Sequence, residues 1–429
     1  MTKNNQTTEY SEQRVAPTAP PTKPNHHPKT PRLRFGGFEG EWEEKKLGEV
    51  ATFSKGKGLS KKDIVENGKN ECVHYGELFT KYNEVIDSIK SKTNTSPTNS
   101  RLSKENDILM PTSDVTPNGL ATASALSKEG VILGGDILII RSKNILNKFF
   151  AYWVSVHKKE IMRLVVGVTV YHIYGSDLAT LKIKFPPLPE QEKIASFLSV
   201  VDEWVENLKG QKEDLEKYKK GVMQKLFPAK GEQVPQLRFS GFTGNWEEKK
   251  LGEVGEIKTG TTPPTKNKEY YEDGKFLWVT PTDITDSKDI KITERKLSDV
   301  GIKKGRLIKG GSVLVTCIAS IGKNAILRED GSCNQQINSI TPNNKNNVDF
   351  IYYLIERFNN KLFAFAGGGG MLILNKKDFS DLKFLFPPLP EQEKIASFLT
   401  ALDDIIEKTE QKISQAEQWK KGLMQRLFV

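Results

Sequence analysis

The sequence predicts an α+β protein built twice: two mixed α/β modules, each followed by a long helix, with the two helices pairing as an antiparallel coiled coil in a pseudo-twofold repeat. Three observations carry this. Blocks of sequence recur some 201 residues apart, as from Phe185 to Phe386. After each copy of a proline-rich block, apolar residues return every seven positions. The most apolar stretches, residues 131–140 and 312–321, are short, rich in β-branched residues and flanked by glycine, as buried strands are.

The repeat sets the organisation. Residues 185–198 read FPPLPEQEKIASFL, and residues 386–399 read the same. WEEKKLGEV at 42–50 recurs at 246–254, and LRFGGF at 33–38 is answered by LRFSGF at 237–242. Lys219-Lys220-Gly221, Met223-Gln224 and Leu226-Phe227 return as Lys420-Lys421-Gly422, Met424-Gln425 and Leu427-Phe428. Between these blocks the halves diverge but keep a skeleton. Residues 102–109 align with 307–314, 147–152 with 347–352 (pairing Phe150 with Phe350 and Tyr152 with Tyr352), and Asp177 with Asp378. The resulting segments are a disordered tail over 1–32, a first module over 33–185, a helix over 186–227, a linker over 228–236, a second module over 237–386 and a helix over 387–429. Near-identical frames around dissimilar inserts describe one scaffold presenting two different surfaces.

Each element has a local reason. The tail is dominated by Thr, Pro, Asn and Lys without periodicity, a composition that cannot bury a core. Its His26-His27 pair is incidental. The apolar stretches 149–161 and 348–358 read as short helices within the modules. Pro186-Pro187 and Pro189 end a strand and preset a first helical turn. Glu190 and Glu192 then lie at the positive end of the helix dipole. Ile194, Val201, Leu208, Leu215 and Val222 form a heptad stripe, with Phe197, Trp204 and Tyr218 three positions further on. The second stripe is softer: Ile395, Leu402, Ala416 and Leu423, with Phe398, Ile405 and Trp419 beside it. A helix of about 37 residues spans about 55 Å, more than a compact domain covers.

Composition narrows the function. The chain has 429 residues, a net charge of +10 and a hydrophobic fraction of 37%. No apolar run approaches a membrane span, and no hydrophobic N-terminal segment suggests secretion. Cys72, Cys317 and Cys333 are far apart and in no CxxC spacing, which fits a reducing cytoplasm and gives no metal site. The basic surplus favours a nucleic-acid partner, since basic side chains laid on phosphates release counterions. Catalytic signatures are missing. No double proline is followed by an aromatic residue, as the turn of an adenine methyltransferase requires. No phosphate-binding G-x-x-x-x-G-K-[ST] loop occurs. Glu44-Lys45-Lys46 could pass for part of a nuclease motif, but it repeats at Glu248-Lys249-Lys250 as a frame segment.

These residues resemble the specificity subunits of type I restriction–modification systems, over nearly the whole chain apart from the tail. The doubled PPLPEQEKIA and the W-E-x-x-x-L-G-E opening each half carry the resemblance. Residues 75–80 (YGELFT), 310–316 (GGSVLVT), Ile321-Gly322 and Asn334-Gln335-Gln336 support it. The resemblance implies that each module is a target-recognition domain reading one half of a bipartite, asymmetric double-stranded DNA target. It implies that the paired helices set the gap and dock two methylation subunits, with restriction subunits joining in the full complex and no membrane involved. S-adenosylmethionine, ATP and magnesium would then belong to those partners, and this chain would be a non-catalytic cytoplasmic subunit.

Candidate DNA-contacting residues follow from the chemistry of readout, which needs paired donors and acceptors at base edges and basic or hydroxyl groups along phosphates. In the first module they are Lys55, Lys57, Tyr75, Lys81, Tyr82, Thr112, Ser113, Arg141, Thr169, Tyr171, His172 and Tyr174. In the second they are Lys258, Thr259, Thr280, Thr282, Thr316, Ser320, Lys323, Gln335, Gln336, Gly369 and Met371. Two rival readings stay open. A related system that only methylates would use the same chain. A scaffold holding two non-DNA ligands would show no salt-dependent DNA affinity.

Overall fold

A computed structural model describes residues 29–365 and 373–429. Four helices matter below: α1 (Asn147–Val156), α2 (Leu188–Leu226), α3 (Val348–Arg357) and α4 (Leu389–Leu427). The chain divides into two compact units, residues 1–205 with 415–429, and residues 206–414. The division falls inside α2 and α4, so the helices are not segments separate from the modules. Each begins in one unit and ends in the other.

In the first unit the central antiparallel sheet runs Ala51–Lys55, Ile137–Ser142, Asp107–Pro111, Ser124–Leu126. Alternate residues leave its two faces, the period-two pattern of a strand. Ile108, Met110, Leu138 and Ile140 pack with α1, whereas Leu109, Ile137 and Ile139 pack with Val73, Leu78, Val131 and Leu133. Both faces are covered, which is why residues 137–140 read as an unbroken apolar run. The second unit repeats the plan with Gly255–Thr259, Ile337–Pro342, Ser312–Thr316 and Asn324–Leu327, and adds Asp289–Ile290 at the edge.

The repeated motifs build a frame in each unit. Strand Glu43–Lys46 pairs antiparallel with Lys182–Phe185, and Glu247–Lys250 pairs with Lys383–Phe386. Glu190 is not a solvated dipole partner: it is buried, and Arg34 donates to its two oxygens from Nε and Nη2 at 2.8 Å each, with Trp42 Nε1 at 3.3 Å. Arg238 grips Glu391 identically, at 2.8 and 2.8 Å. The neighbouring Gln191 donates to the carbonyls of Asn144 and Pro186 and accepts from the Leu146 N–H. LRF, W-E and P-E-Q therefore recur together because they close on one another.

The equivalence of α1 and α3 runs at 201 residues, correcting the alignment of 147–152 with 347–352. Phe149 packs on Trp42 and Phe428, and Phe350 packs on Trp246 and Phe227. Tyr152 thus corresponds to Tyr353. A one-residue shift would turn these rings about 100° away from the frame.

The heptad stripes do more than pair helices. Ile194, Val201, Leu208, Val222, Ile395 and Leu402 are buried, while Leu215 and Leu423 are half-buried. Ile194 and Leu198 enter the first unit's core together with Met424 and Leu427 from the end of α4, with Leu423 packed alongside. Val222, Met223 and Leu226 from the end of α2 enter the second unit's core with Ile395 and Leu402. Within the second unit the helix segments run antiparallel: Lys212–Glu410 and Lys219–Asp403 lie seven residues apart in opposite directions. The softer second stripe also uses Ile413 and a buried Thr409, whose hydroxyl donates to the Ile405 carbonyl. The companion positions Trp204, Tyr218, Ile405 and Trp419 are about half exposed, so they do not belong to the buried seam.

The end of the presumed tail is engaged, because the Lys29 carbonyl accepts from Trp42 and the Leu33 N–H donates to Arg426. Residues 1–28, with His26-His27, lie outside the described residues. The linker is tied in the same manner, with Trp246 donating to Gln233 and Leu237 to Lys225. No helix among the described residues is long and apolar enough to cross a membrane.

Candidate nucleic-acid interface

One corner recurs in both units with the same backbone bonds and different side chains. At the end of the first central strand the chain passes against the turn that precedes the second. Gly56 N–H donates to Ile137 at 2.9 Å and Lys57 to Leu133 at 2.9 Å. Gly260 donates to Ile337 at 3.0 Å and Thr261 to Cys333 at 2.8 Å. A Cβ at Gly56 would meet the Gly134 carbonyl oxygen at 1.8 Å, and one at Gly260 the Asn334 oxygen at 2.1 Å, so only glycine allows this approach. The crossing displays residues 55–58 and 134–136 in the first unit, and 259–262 and 334–336 in the second.

An arginine is anchored over each crossing. Arg101 Nε donates to the Lys55 carbonyl at 3.3 Å, and Arg306 Nη1 donates to the Thr259 carbonyl at 2.8 Å. Both are exposed. Neither was singled out from the sequence, although the signal lay in the aligned pairs Arg101-Leu102 and Arg306-Leu307. Around this shared support the chemistry differs. Lys57, Gly58, Gly135 and Asp136 occupy places taken by Thr261, Thr262, Gln335 and Gln336. In the second unit Thr262 donates to Gln335 Oε1 at 2.5 Å, and Thr259 to Asn338 Oδ1 at 2.6 Å.

The first unit carries a small three-stranded sheet, Val166–Gly167, Tyr171–His172 and Ser113–Asp114. It gathers several candidates. His172 pairs with Ser113 and lies parallel to Tyr174, ring centroids 6.2 Å apart. Lys55 Nζ stands 6.0 Å from the Tyr174 ring centre. Thr169 is exposed at the ribbon's tip beside Val168 and Val170. In the second unit Thr282, Ser320 and Lys323 are exposed, and Lys258 pairs with Glu256 at 3.0 Å. Ala319, next to Ser320, has φ +63°, a strained conformation of a kind that concentrates at functional loops.

Other candidates do not join these surfaces. Tyr82, Thr112 and Thr316 are buried. The Tyr82 hydroxyl accepts from the Lys90 N–H, Thr112 donates to Asp136, and Thr316 donates to the Ser320 and Lys323 carbonyls. Arg141 is held by both oxygens of fully buried Asp107, at 2.6 and 2.9 Å. Lys81 pairs with Glu77 at 2.7 Å, and Thr280 donates to Asp283 within its own turn. Tyr75 is half-buried, its ring packed against His74 and Phe79. Apart from Tyr75, each serves the fold because its polar group already has an internal partner. Gly369 and Met371 lie outside the described residues.

Among the described residues no group of three His, Cys, Asp or Glu side chains could hold a metal ion. Burial pushes the thiols of Cys72 and Cys317 up to about 11, and that of Cys333 further in the same direction.

The type I restriction modification DNA specificity domain matches this chain twice, over residues 39–217 and 243–418. A type I restriction enzyme specificity subunit of Methanocaldococcus jannaschii, MjaVIII, is 26% identical over 410 residues, covering 90% of this chain and 92% of its own. The MjaIX specificity subunit of the same organism is 32% identical over 169 residues, 38% of this chain and 39% of its own. Among solved structures, the type I restriction–modification S subunit of M. genitalium shares the fold with a TM-score of 0.61 at 19% identity, covering 93% of this chain and 99% of that one. With both halves matched and the duplicated frame accounted for, the chain belongs to the type I restriction–modification DNA specificity family, as a non-catalytic specificity subunit with two recognition domains.

Proposed function

We propose that the chain reads a bipartite, asymmetric DNA sequence, each unit contacting one half-site through its strand-crossing corner. The observation that carries this is the repetition of one backbone arrangement, with an anchored arginine, under unlike side chains. Arg101 and Arg306 take phosphate-positioning roles, together with Lys55, Lys57, Lys258 and Lys323. Sequence is read by the groups that differ: Ser113, Thr169, Tyr171, His172 and Tyr174 in the first unit, and Thr259, Thr282, Ser320, Gln335 and Gln336 in the second. Gln335 and Gln336 offer the paired donor and acceptor that suit adenine in the major groove.

Two methylation subunits dock on the helices, where Trp204 with Trp419 in one unit and Tyr218 with Ile405 in the other leave large apolar side chains half exposed. Restriction subunits join that assembly in the cytoplasm. S-adenosylmethionine, ATP and magnesium are held by those partners.

The test is co-expression with the cognate methylation subunit in a methylation-free host, followed by mapping of N6-methyladenine in the genomic DNA. One bipartite motif with a fixed gap is expected, and exchanging residues 51–184 changes only one half of it. A soluble complex that leaves no methylation above background refutes the reading.

A further inference from the structure

On each helix pair, a half-buried lysine meets an aspartate and a tyrosine contributed by the repeated frame. In the first unit Lys420 Nζ lies 2.6 Å from Asp202 and 5.5 Å from the centre of the Tyr152 ring, and Tyr152 donates to Asp202 at 2.6 Å. In the second Lys219 Nζ lies 2.8 Å from Asp403 and 5.3 Å from the Tyr353 ring, and Tyr353 donates to Asp403 at 2.5 Å. These three groups are the same residue types at a constant separation of 201 residues.

The second carboxylate on the lysine is not the same. In the first unit it is Glu84, 3.2 Å from Lys420 and bonded by the Ser155 hydroxyl at 2.8 Å. In the second it is Glu356, 3.2 Å from Lys219, and Glu356 occupies on α3 the place of Ser155 on α1. The place of Glu84 is taken by Lys288. The two match because the Glu84 carbonyl accepts from Ala125 at 2.8 Å, as the Lys288 carbonyl accepts from Ile326 at 2.7 Å, on equivalent strands. Lys288 pairs with Asp349 at 2.9 Å and with the Thr400 hydroxyl at 2.8 Å. Asp349 in turn stands where the first unit has Lys148. Glu84, Lys148 and Ser155 in one unit are thus replaced by Lys288, Asp349 and Glu356 in the other.

We propose that each lysine–aspartate–tyrosine group is a common socket that a recognition domain must complete with one carboxylate, and that residues 84, 148 and 155 and residues 288, 349 and 356 are two mutually exclusive charge sets for doing so. The sets decide which domain body can be joined to which short helix. A body carrying Glu84 set against α3 would bring a third carboxylate beside Asp349 and Glu356. A body carrying Lys288 set against α1 would bring a lysine beside Lys148 and Lys420, with Asp202 as the acid facing them. Charges buried without partners are strongly destabilising. Recognition domains exchanged whole keep their set intact, whereas a crossover between the strand edge and the short helix breaks it.

The test transplants the second set into the first unit of the full chain: Glu84→Lys, Ser155→Glu, the pair, and the triple with Lys148→Asp. Stability of the first unit is read from the rate at which buried Cys72 is alkylated in moderate urea. Each of the first two single variants is expected to label about a hundredfold faster than the parent chain. The triple variant is expected to return within about tenfold of it, a recovery that additive effects cannot give. Single variants without effect, or a triple variant as labile as the sum of its parts, overturn the proposal. If Glu84→Lys yields no folded chain, the triple variant decides: folded protein supports the matched sets and none refutes them.

Discussion

Removing Arg34 tests the frame where its chemistry is most exposed to measurement. Glu190 is 1% exposed, and its two oxygens are held by Arg34 Nε and Nη2 at 2.8 Å each. Arg34→Met keeps the apolar stem and leaves a carboxylate buried without a counter-ion. Breaking a buried pair costs about 3–5 kcal/mol, and because the Arg34 side chain is 17% exposed the lower end applies, about 3 kcal/mol or roughly a hundredfold in the opening equilibrium. Trp42 Nε1 still donates to Glu190 after the change. The equivalent Trp246 Nε1 has no partner, so Arg238→Met is expected to cost about 1 kcal/mol more. Cysteine alkylation in urea reports the two units separately, through Cys72 in one and Cys317 and Cys333 in the other. Each variant accelerates labelling in its own unit, and Arg34→Met with Glu190→Leu recovers most of the loss. Labelling of Cys72 at the parent rate in Arg34→Met would refute the buried clamp.

Further outcomes are expected. Arg306→Ala weakens DNA binding about equally across sequences and lowers the slope of log affinity against log salt by about 1, whereas Gln335→Ala relaxes specificity at one position; both are read by titration at several salt concentrations. Cys72 and Cys317, with thiols near 11, resist alkylation at pH 7 in the folded chain and react on unfolding, as mass spectrometry of labelled protein can show. Burial pushes the Asp349 carboxyl up, but Arg328 and Lys288 outweigh it and hold it below the ordinary value. A depressed carboxylate contributes stability above its unfolded pKa and loses it as pH falls through the folded one. Asp349 therefore contributes to loosening of the second unit below about pH 4, and Asp349→Asn weakens that dependence in acid-unfolding scans.

The duplicated frame was legible because its motifs are contiguous and nearly identical, and because heptads and proline starts are local signals. Their meaning was less so. Glu190 looks like a helix-dipole residue until Arg34, 156 positions away, is found on it. Tyr152 aligns with Tyr352 by eye, since two tyrosines stand side by side at 352–353 and both choices look identical in one dimension. Packing of Phe149 and Phe350 on the frame selects Tyr353. Thr112, Thr316 and Arg141 belong to the residue types that contact nucleic acid, and burial with satisfied hydrogen bonds is what removes them. Conversely, Arg101 and Arg306 escaped notice because an arginine before a leucine carries no motif. Only the carbonyls of Lys55 and Thr259 reveal that both are anchored at one place.

The same contrast explains why the frame can stay fixed while its inserts change. Main-chain bonds at the crossing are indifferent to side chains apart from Gly56 and Gly260, where a carbonyl sits too close for any Cβ. Exposed positions such as Lys57, Asp136 and Gln335 can vary with little cost to the sheet, which is what the proposed reading of different half-sites on one backbone requires. The helix side has no such freedom. Lys219 and Lys420 are half-buried beside carboxylates, and a change there must be answered by a second one. Burial pulls each ammonium down, yet the carboxylates outweigh it and raise it above the ordinary lysine value, so both stay charged throughout the neutral range. Variation is therefore cheap where the chain faces solvent and coupled where it faces the helices, and it is the coupled positions that limit which domains the frame accepts.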